Sequence, residues 1–546
     1  MRHLWLILLA GWLTACGGGG GGSDDTAPPP TTTTTNNTVK LTEIEAAEFL
    51  NRSTFGATRE GIDELVELGI EDWLSAQYAA RPSYLRAYLQ TLPDQDAIYH
   101  HHRVNAWWLQ SVHGPDQLRQ RVAFALSQIF VTSDRSGALE GHQMGLANYY
   151  DIFVRNAFGN YRDILEQVTL SPVMGVYLSM LGNQKPDVEN NIRPDENYAR
   201  EVMQLFTIGL VELNTDGSSV MNGANNPVPS YDQDIIEGFA HVFTGWTFAN
   251  AESYRWPERN MLLPMEPFEE YHDTGSKTLL NGFVVPAGQT ADEDLQMALD
   301  NLFEHPNVGP FISHKLIQRL VTSNPTPEYI ARVARVFNNN GQGVRGDMQA
   351  VIEAILTDDE ALNGRENLPN QFGKLREPLI RTAHFWRAFD ALAGNGEFNF
   401  GYPDYVYGQA PQSAPHVFNF YSPFYQPPGE LSQQSMAAPE FQINTSNNLT
   451  GYTNSLLGGT IWKNEEVDND EQLVYRNMAN YMALAEDTAA LVDELALVFM
   501  AGNISSTMRD ELIAYADGFS ENTSDFRKVL ELTFLILSSA EYTVQQ

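Results

Sequence analysis

The chain has 546 residues, too many for one small core, so it should fold as one large helical body with additions or as two to three packed units. Hydrophobic residues at 43% and aromatics at 11% exclude disorder beyond the ends and predict an aromatic-rich core. A formal net charge of −36 excludes broad affinity for nucleic acid, which needs clustered Lys and Arg, and leaves cations, neutral glycans and proteins as partners.

The N-terminus "MRHLWLILLAGWLTAC" has a basic start at Arg2, an apolar run from Leu4 to Leu13 and small residues before Cys16, the layout of a signal peptide over residues 1–16. The run is too short to span a bilayer as a mature helix. Leu13-Thr14-Ala15-Cys16 resembles the lipobox of bacterial lipoproteins, so Cys16 is the expected lipid-anchor site. As the single Cys of the chain, Cys16 has no disulfide partner within it, and no Cys-based zinc pattern can be built. Gly17 stands where an Asp would suggest inner-membrane retention. The expected location is therefore the outer membrane, on its periplasmic or surface face.

Residues 17–40, "GGGGGGSDDTAPPPTTTTTNNT" and its flank, form a low-complexity tether. From Leu41 the pattern turns helical. "LTEIEAAEFLNRSTFG" offers Thr42 as a cap, and apolar positions recur at spacings of three and four through 41–395, the expected main domain. Between Ala249 and Gly288, Pro and Gly punctuation leaves room for a short hairpin. Residues 396–469 read as an ordered aromatic and Pro-rich loop region, and 470–546 as a C-terminal helical block of the same body. The expected class is mainly α: a large multi-helix body with long irregular loops and at most a short hairpin.

Three stretches carry candidate chemistry. In "NIRPDENYAREVMQLFTIGLVEL", read as a helix, Glu196, Asn197, Arg200, Glu201 and Gln204 share an arc of about 140° on a 100° wheel, and Glu196 and Arg200 are spaced to pair. The arc is either a wet helix face or one wall of a sheltered polar site, where acids beside an Arg acquire shifted pKa values. In "YDQDIIEGFAHVFTGW", Asp234, Glu237 and His241 fall on one face at offsets of three and four, which suits either a shared cation or an ordinary surface, and Trp246 follows a sharp stop. In "YHDTGSKTLLNG", His272, Asp273 and Lys277 share a loop suited to proton transfer or binding, or a turn in which Asp273 caps Gly275. His314, Lys315 and Arg319 read as helix surface. The run His100-His101-His102 points three ways on a helix and cannot converge on one ion. Neither a Gly-rich phosphate loop, a Ser elbow nor HExxH occurs, so nucleotide chemistry and familiar Ser hydrolases drop out.

Together, "AAEFLNRSTFGAT", "ENYAREVMQLFTIGL", "FAHVFTGW", "HDTGSKTLLNG", "FISHKLIQRLV", "KLREPL" and "SSAEYTVQQ" resemble the bacterial family called domain of unknown function 1800, from about Ala46 to the C-terminus. The resemblance implies a large, mainly helical exported protein, often encoded beside a sulfatase-like partner, and supplies no settled activity. It marks Glu196, Asn197, Arg200 and Glu201, then Thr244, Gly245 and Trp246, then His272, Asp273, Gly275 and Lys277. Many relatives carry Arg where this chain has His241, which weakens a metal site that needs His241.

Two functions follow. One is a binding or assembly lipoprotein, in which the polar residues fix helix packing and the loop from Tyr402 to Tyr425 meets a glycan or a partner protein. The other is an envelope hydrolase, with or without a metal. Its catalytic set would be Glu196, Arg200, Glu201, His272, Asp273 and Lys277; its binding set Asn197, Asp234, Glu237 and Trp246; and its metal candidates Asp234, Glu237 and His241. No cofactor is specified. An open cleft lined by Glu201, Asp234, His272 and Lys277 would favour the hydrolase, and closed pairing would favour the binder.

Overall fold

Helix signals in the sequence are realised locally before they are packed. A computed structural model of the chain describes residues 40–463 and 470–546. At Glu43–Ser53 the Thr42 hydroxyl accepts from the Glu45 N–H at 3.2 Å while the Glu45 carboxylate accepts from the Thr42 N–H at 2.8 Å, so two orphan donors of the first turn are satisfied reciprocally. The same reciprocal cap starts Ala291–Phe303 at Thr290, and Thr326 caps Pro327–Asn338 ahead of a first-turn proline. Helices make up 51% of the described residues, and among these strands occur only as short pairs, so the mainly α class holds.

Packing is organised around an aromatic spine. Trp107 and Trp108, on His100–His113, are buried in edge contact at 4.9 Å, and Trp108 meets Trp386 of Pro378–Ala388 at 4.8 Å. Such pairs add about 0.5–1.5 kcal/mol each beyond the area they bury. Phe55 and Phe124 close on Trp107, which ties Gln117–Ser127 and the chain after the first helix into one core.

The two ends of the body meet. Strand Lys374–Leu375 pairs antiparallel with Val544–Gln545, the Arg376 guanidinium donates to the carbonyls of Phe499 and Tyr542 at 3.1 and 2.7 Å, and Arg52 donates to the Gln546 carbonyl at 3.3 Å. Residues Leu41–Gln546 thus form one packed unit. Cys16 and the expected tether lie outside the described residues, apart from Lys40.

The expected hairpin between Ala249 and Gly288 is present as Lys277–Thr278 paired with Val284–Val285, and a second ladder joins Trp246–Thr247 to Glu266–Pro267. Three readings are corrected. The "NYAREVMQLFTIGL" helix spans only Asn197–Gln204: Gly209 at φ +72° turns the chain into an irregular extended ladder through Val211–Pro229, and Leu210 is 58% exposed. Within 396–469, Ser446–Gly459 is a 14-residue helix that its polar, Gly-bearing sequence concealed. Arg319 is buried rather than on the surface, with its guanidinium over the Tyr421 ring at 4.6 Å and its carbonyl accepting from Arg121 at 2.6 Å.

Candidate functional site

The three polar stretches do not make one pocket. Helix Gln233–Val242 stands between them, with Gln233 donating to Glu196 at 2.9 Å at its start and His241 bonded to Asp273 near its end. Eight residue steps at 1.5 Å separate those two contacts by about 12 Å.

At the first end, Glu196 is the N-cap residue and pairs with Arg200 at 3.0 Å in a largely solvated contact, which contributes little by itself. Asn197, Asp234 and Glu237 are exposed. Glu201 is different: it is 93% buried by its 7% residual exposure, its Oε2 has no hydrogen-bond partner, and burial pushes its carboxyl up against the opposing pull of Arg200. Tyr177 and Tyr231 stand close enough for Glu201 to contribute to their own upward shifts to about 12, which burial dominates.

At the other end the groups saturate one another. Fully buried His272 has Nε2 3.0 Å from Asp294 Oδ2 and Nδ1 3.0 Å from the Thr244 carbonyl. The Lys277 ammonium donates to Asp294, to the Asp273 carbonyl and to the Gly275 carbonyl, the last at 2.9 Å, so its three donors have three acceptors. Asp273 accepts the Gly275 N–H at 2.7 Å, the turn that spacing allowed, and its bond from His241 draws its carboxyl down to about 2. Gly245 makes this possible: at φ +88° its backbone passes so close that a Cβ would lie 2.9 Å from the His272 nitrogen. Trp246 is a core residue at 1% exposure.

Asp294 was missed by sequence reasoning. It follows Asp292 and Glu293 in an acidic first turn that looks like helix-dipole complement, yet it shares a face with Ala291, Leu295 and Ala298, and an acid on an apolar face is the signal that finds it. The metal candidates do not gather: Asp234 and Glu237 face solvent, His241 is taken by Asp273, and no group of three His, Cys, Asp or Glu arranged to hold an ion occurs among the described residues.

A cleft of about 670 Å³ opens elsewhere, where the start of His100–His113 meets the Tyr402 loop. His100 Nδ1 lies 2.5 Å from Asp134 Oδ2, and the buried Arg103 donates to the same oxygen at 2.6 Å. Ser413 donates to the other Asp134 oxygen at 2.8 Å. Burial alone would raise the Asp134 carboxyl, but Arg103, aided by the bond from His100, holds it well below the usual carboxylate range. The Tyr402 ring stacks on His100 at 5.0 Å and leads to Tyr405, 79% exposed. Arg135 pairs with Asp404 across the floor. Two features that the sequence presented as unrelated, the His run and the aromatic loop, are thus one site.

The family model described as "Protein of unknown function (DUF1800)" matches residues 48–544, nearly the whole chain. The chain belongs to the DUF1800 family. No curated protein matches it, and no solved structure does. Both the saturated His272 network and the His100 cleft lie inside the DUF1800 match.

Proposed function

We propose that this DUF1800 chain is an exported lipoprotein, anchored to the outer membrane through Cys16, whose helical body has a binding or assembly role at the cell envelope with an extracellular polymer or a sulfatase-like partner protein. The observation that supports it is the saturation of the His272 and Lys277 network. A general base or an electrophile must keep a free valence towards substrate, whereas His272 has both ring nitrogens engaged and Lys277 all three donors. These groups hold two loops and a helix in register. The anchor is tested by Cys16→Ser: wild type should stay with the membrane fraction and the variant should appear in the soluble fraction, and an unchanged distribution overturns that part.

A second reading, an envelope hydrolase, retains one specific observation: Glu201, buried, raised by burial and with one oxygen unpartnered, is chemically equipped to be a general acid. A screen of glycan turnover on wild type, Glu201→Gln and His272→Ala separates the two. The binding reading expects no turnover in any of them. Turnover by wild type that Glu201→Gln abolishes, with the fold intact, would establish the hydrolase instead.

A further inference from the structure

We propose that the cleft between the His100 turn and the Tyr402 loop is a binding site for a neutral glycan, with Tyr402 and Tyr405 as the stacking platform and His100 and Asp404 as paired hydrogen-bonding groups. The proposal rests on the polymer-binding reading above and gives it a site.

The argument starts from unsatisfied valence. Two residues that line this cleft each carry a buried polar atom with no partner among the described residues: His100 Nε2 and Asp404 Oδ1. Buried polar groups are nearly always paired, so each orphan calls for a partner from outside the chain. With Nδ1–H given to the Asp134 carboxylate, Nε2 is the ring nitrogen left to a ligand. Asp404 spends one oxygen on Arg135 and keeps the other as an acceptor. The missing ligand therefore donates to Asp404 and hydrogen-bonds the free ring nitrogen of His100, as a pair of hydroxyls, each able to donate or accept, does.

Charge then selects among donors. The Asp134 carboxylate is balanced by Arg103 and the Asp404 carboxylate by Arg135, which leaves Asp96 and Glu140 of the lining without an ion pair among the described residues. A polyanion is disfavoured by Glu140 at the rim and by the net charge of −36. Shape selects further. Tyr99, Tyr402 and Tyr405 are 58%, 47% and 79% exposed, far beyond what a core needs from such large rings. Tyrosine faces at a cleft suit a ligand with one flat C–H face and polar edges, which describes a pyranose.

The experiment is isothermal titration of the purified full chain with soluble neutral oligosaccharides (cellohexaose, chitohexaose, laminarihexaose and maltoheptaose), with chitosan hexamer and oligoalginate as charged controls. At least one neutral hexamer or heptamer should bind, and the charged controls should not. Tyr405→Ala should weaken that binding at least tenfold; because Tyr405 is so exposed, this variant keeps its fold, checked by circular dichroism. Asp404→Asn and His100→Gln should each weaken it severalfold to tenfold. Binding that all three variants leave unchanged would overturn the cleft while sparing polymer binding. Preference for the chitosan hexamer or the alginate would overturn the neutral class. No binding of any oligosaccharide at millimolar concentration would overturn both the cleft and the polymer reading.

Discussion

Removing Asp294 should be the most damaging single change near the motif cluster. Its carboxylate is buried, accepts from His272 and Lys277 through one oxygen, and takes a long bond from Gln289 at 3.4 Å on the other. Asp294→Asn keeps the shape and removes the charge, leaving the Lys277 ammonium buried without a counter-charge. Breaking one partner of a buried ion pair costs about 3–5 kcal/mol, because the remaining charge stays desolvated. For a body of about 500 residues the unfolding entropy is roughly 1 kcal/mol per degree, so the midpoint should fall by about 3–5 °C. Lys277→Met should cost about 2–4 kcal/mol by the same logic, since His272 still shares the orphaned carboxylate. The double variant, with both charges gone, should be more stable than the sum of the singles predicts by at least about 2 kcal/mol. Urea and thermal unfolding followed by tryptophan fluorescence and circular dichroism measure all three. Additive losses, or an Asp294→Asn midpoint within about one degree of wild type, would refute the claim that this pair is a coupled structural unit.

Gly245→Ala should destabilise by about 2–3 kcal/mol, since it combines a positive φ with a Cβ pressed on the His272 backbone; thermal melts check it. Asp273→Asn tests the His241 bond through pH. The carboxyl is drawn below its ordinary 3.8 to about 2, so its contribution is present above pH 3.8 and is lost as pH falls through about 2. Allowing for partial solvent screening, wild type should exceed the variant by about 1–2 kcal/mol at pH 6, and the gap should close towards pH 2 in acid-unfolding curves. Thr42→Ala should lose about 1 kcal/mol by deleting the reciprocal cap of the first helix, seen as a midpoint lower by about a degree.

What was legible in the sequence divides by range. Caps, apolar periodicity and the hairpin punctuation are local, and Thr42, the aromatic helices and Lys277–Val285 appear where their residues placed them. The extent of the Asn197 helix was not legible, because periodicity runs on past Gln204 and only the left-handed turn at Gly209 interrupts it. Helix Ser446–Gly459 was concealed by weak helix formers and a thin apolar stripe, and is held by Tyr452 and Leu456 against the rest of the body. Arg319 looked like surface because its aromatic cover, Tyr421, comes from a loop about a hundred residues away.

The site divides in the same way, and the division bears on function. Motif residues were easy to see because they cluster within about eighty residues, yet proximity in sequence is what lets Asp273, Gly275, Lys277 and His272 satisfy one another through a turn and one helix end. The helix rule separates His100 from its neighbours: it goes to Asp134, whereas the His101 and His102 rings lie 4.0 Å apart and His102 accepts the Tyr99 N–H at 3.1 Å. That rule says nothing of what the first His meets, which depends on a loop three hundred residues later. A group whose valences are all met inside the fold contributes register, while one left short of a donor at a wet, aromatic edge has something to offer a ligand. On that criterion His272, Lys277 and Asp294 give register, Glu201 keeps one oxygen unpartnered, and the cleft under Tyr402 is where binding should be sought.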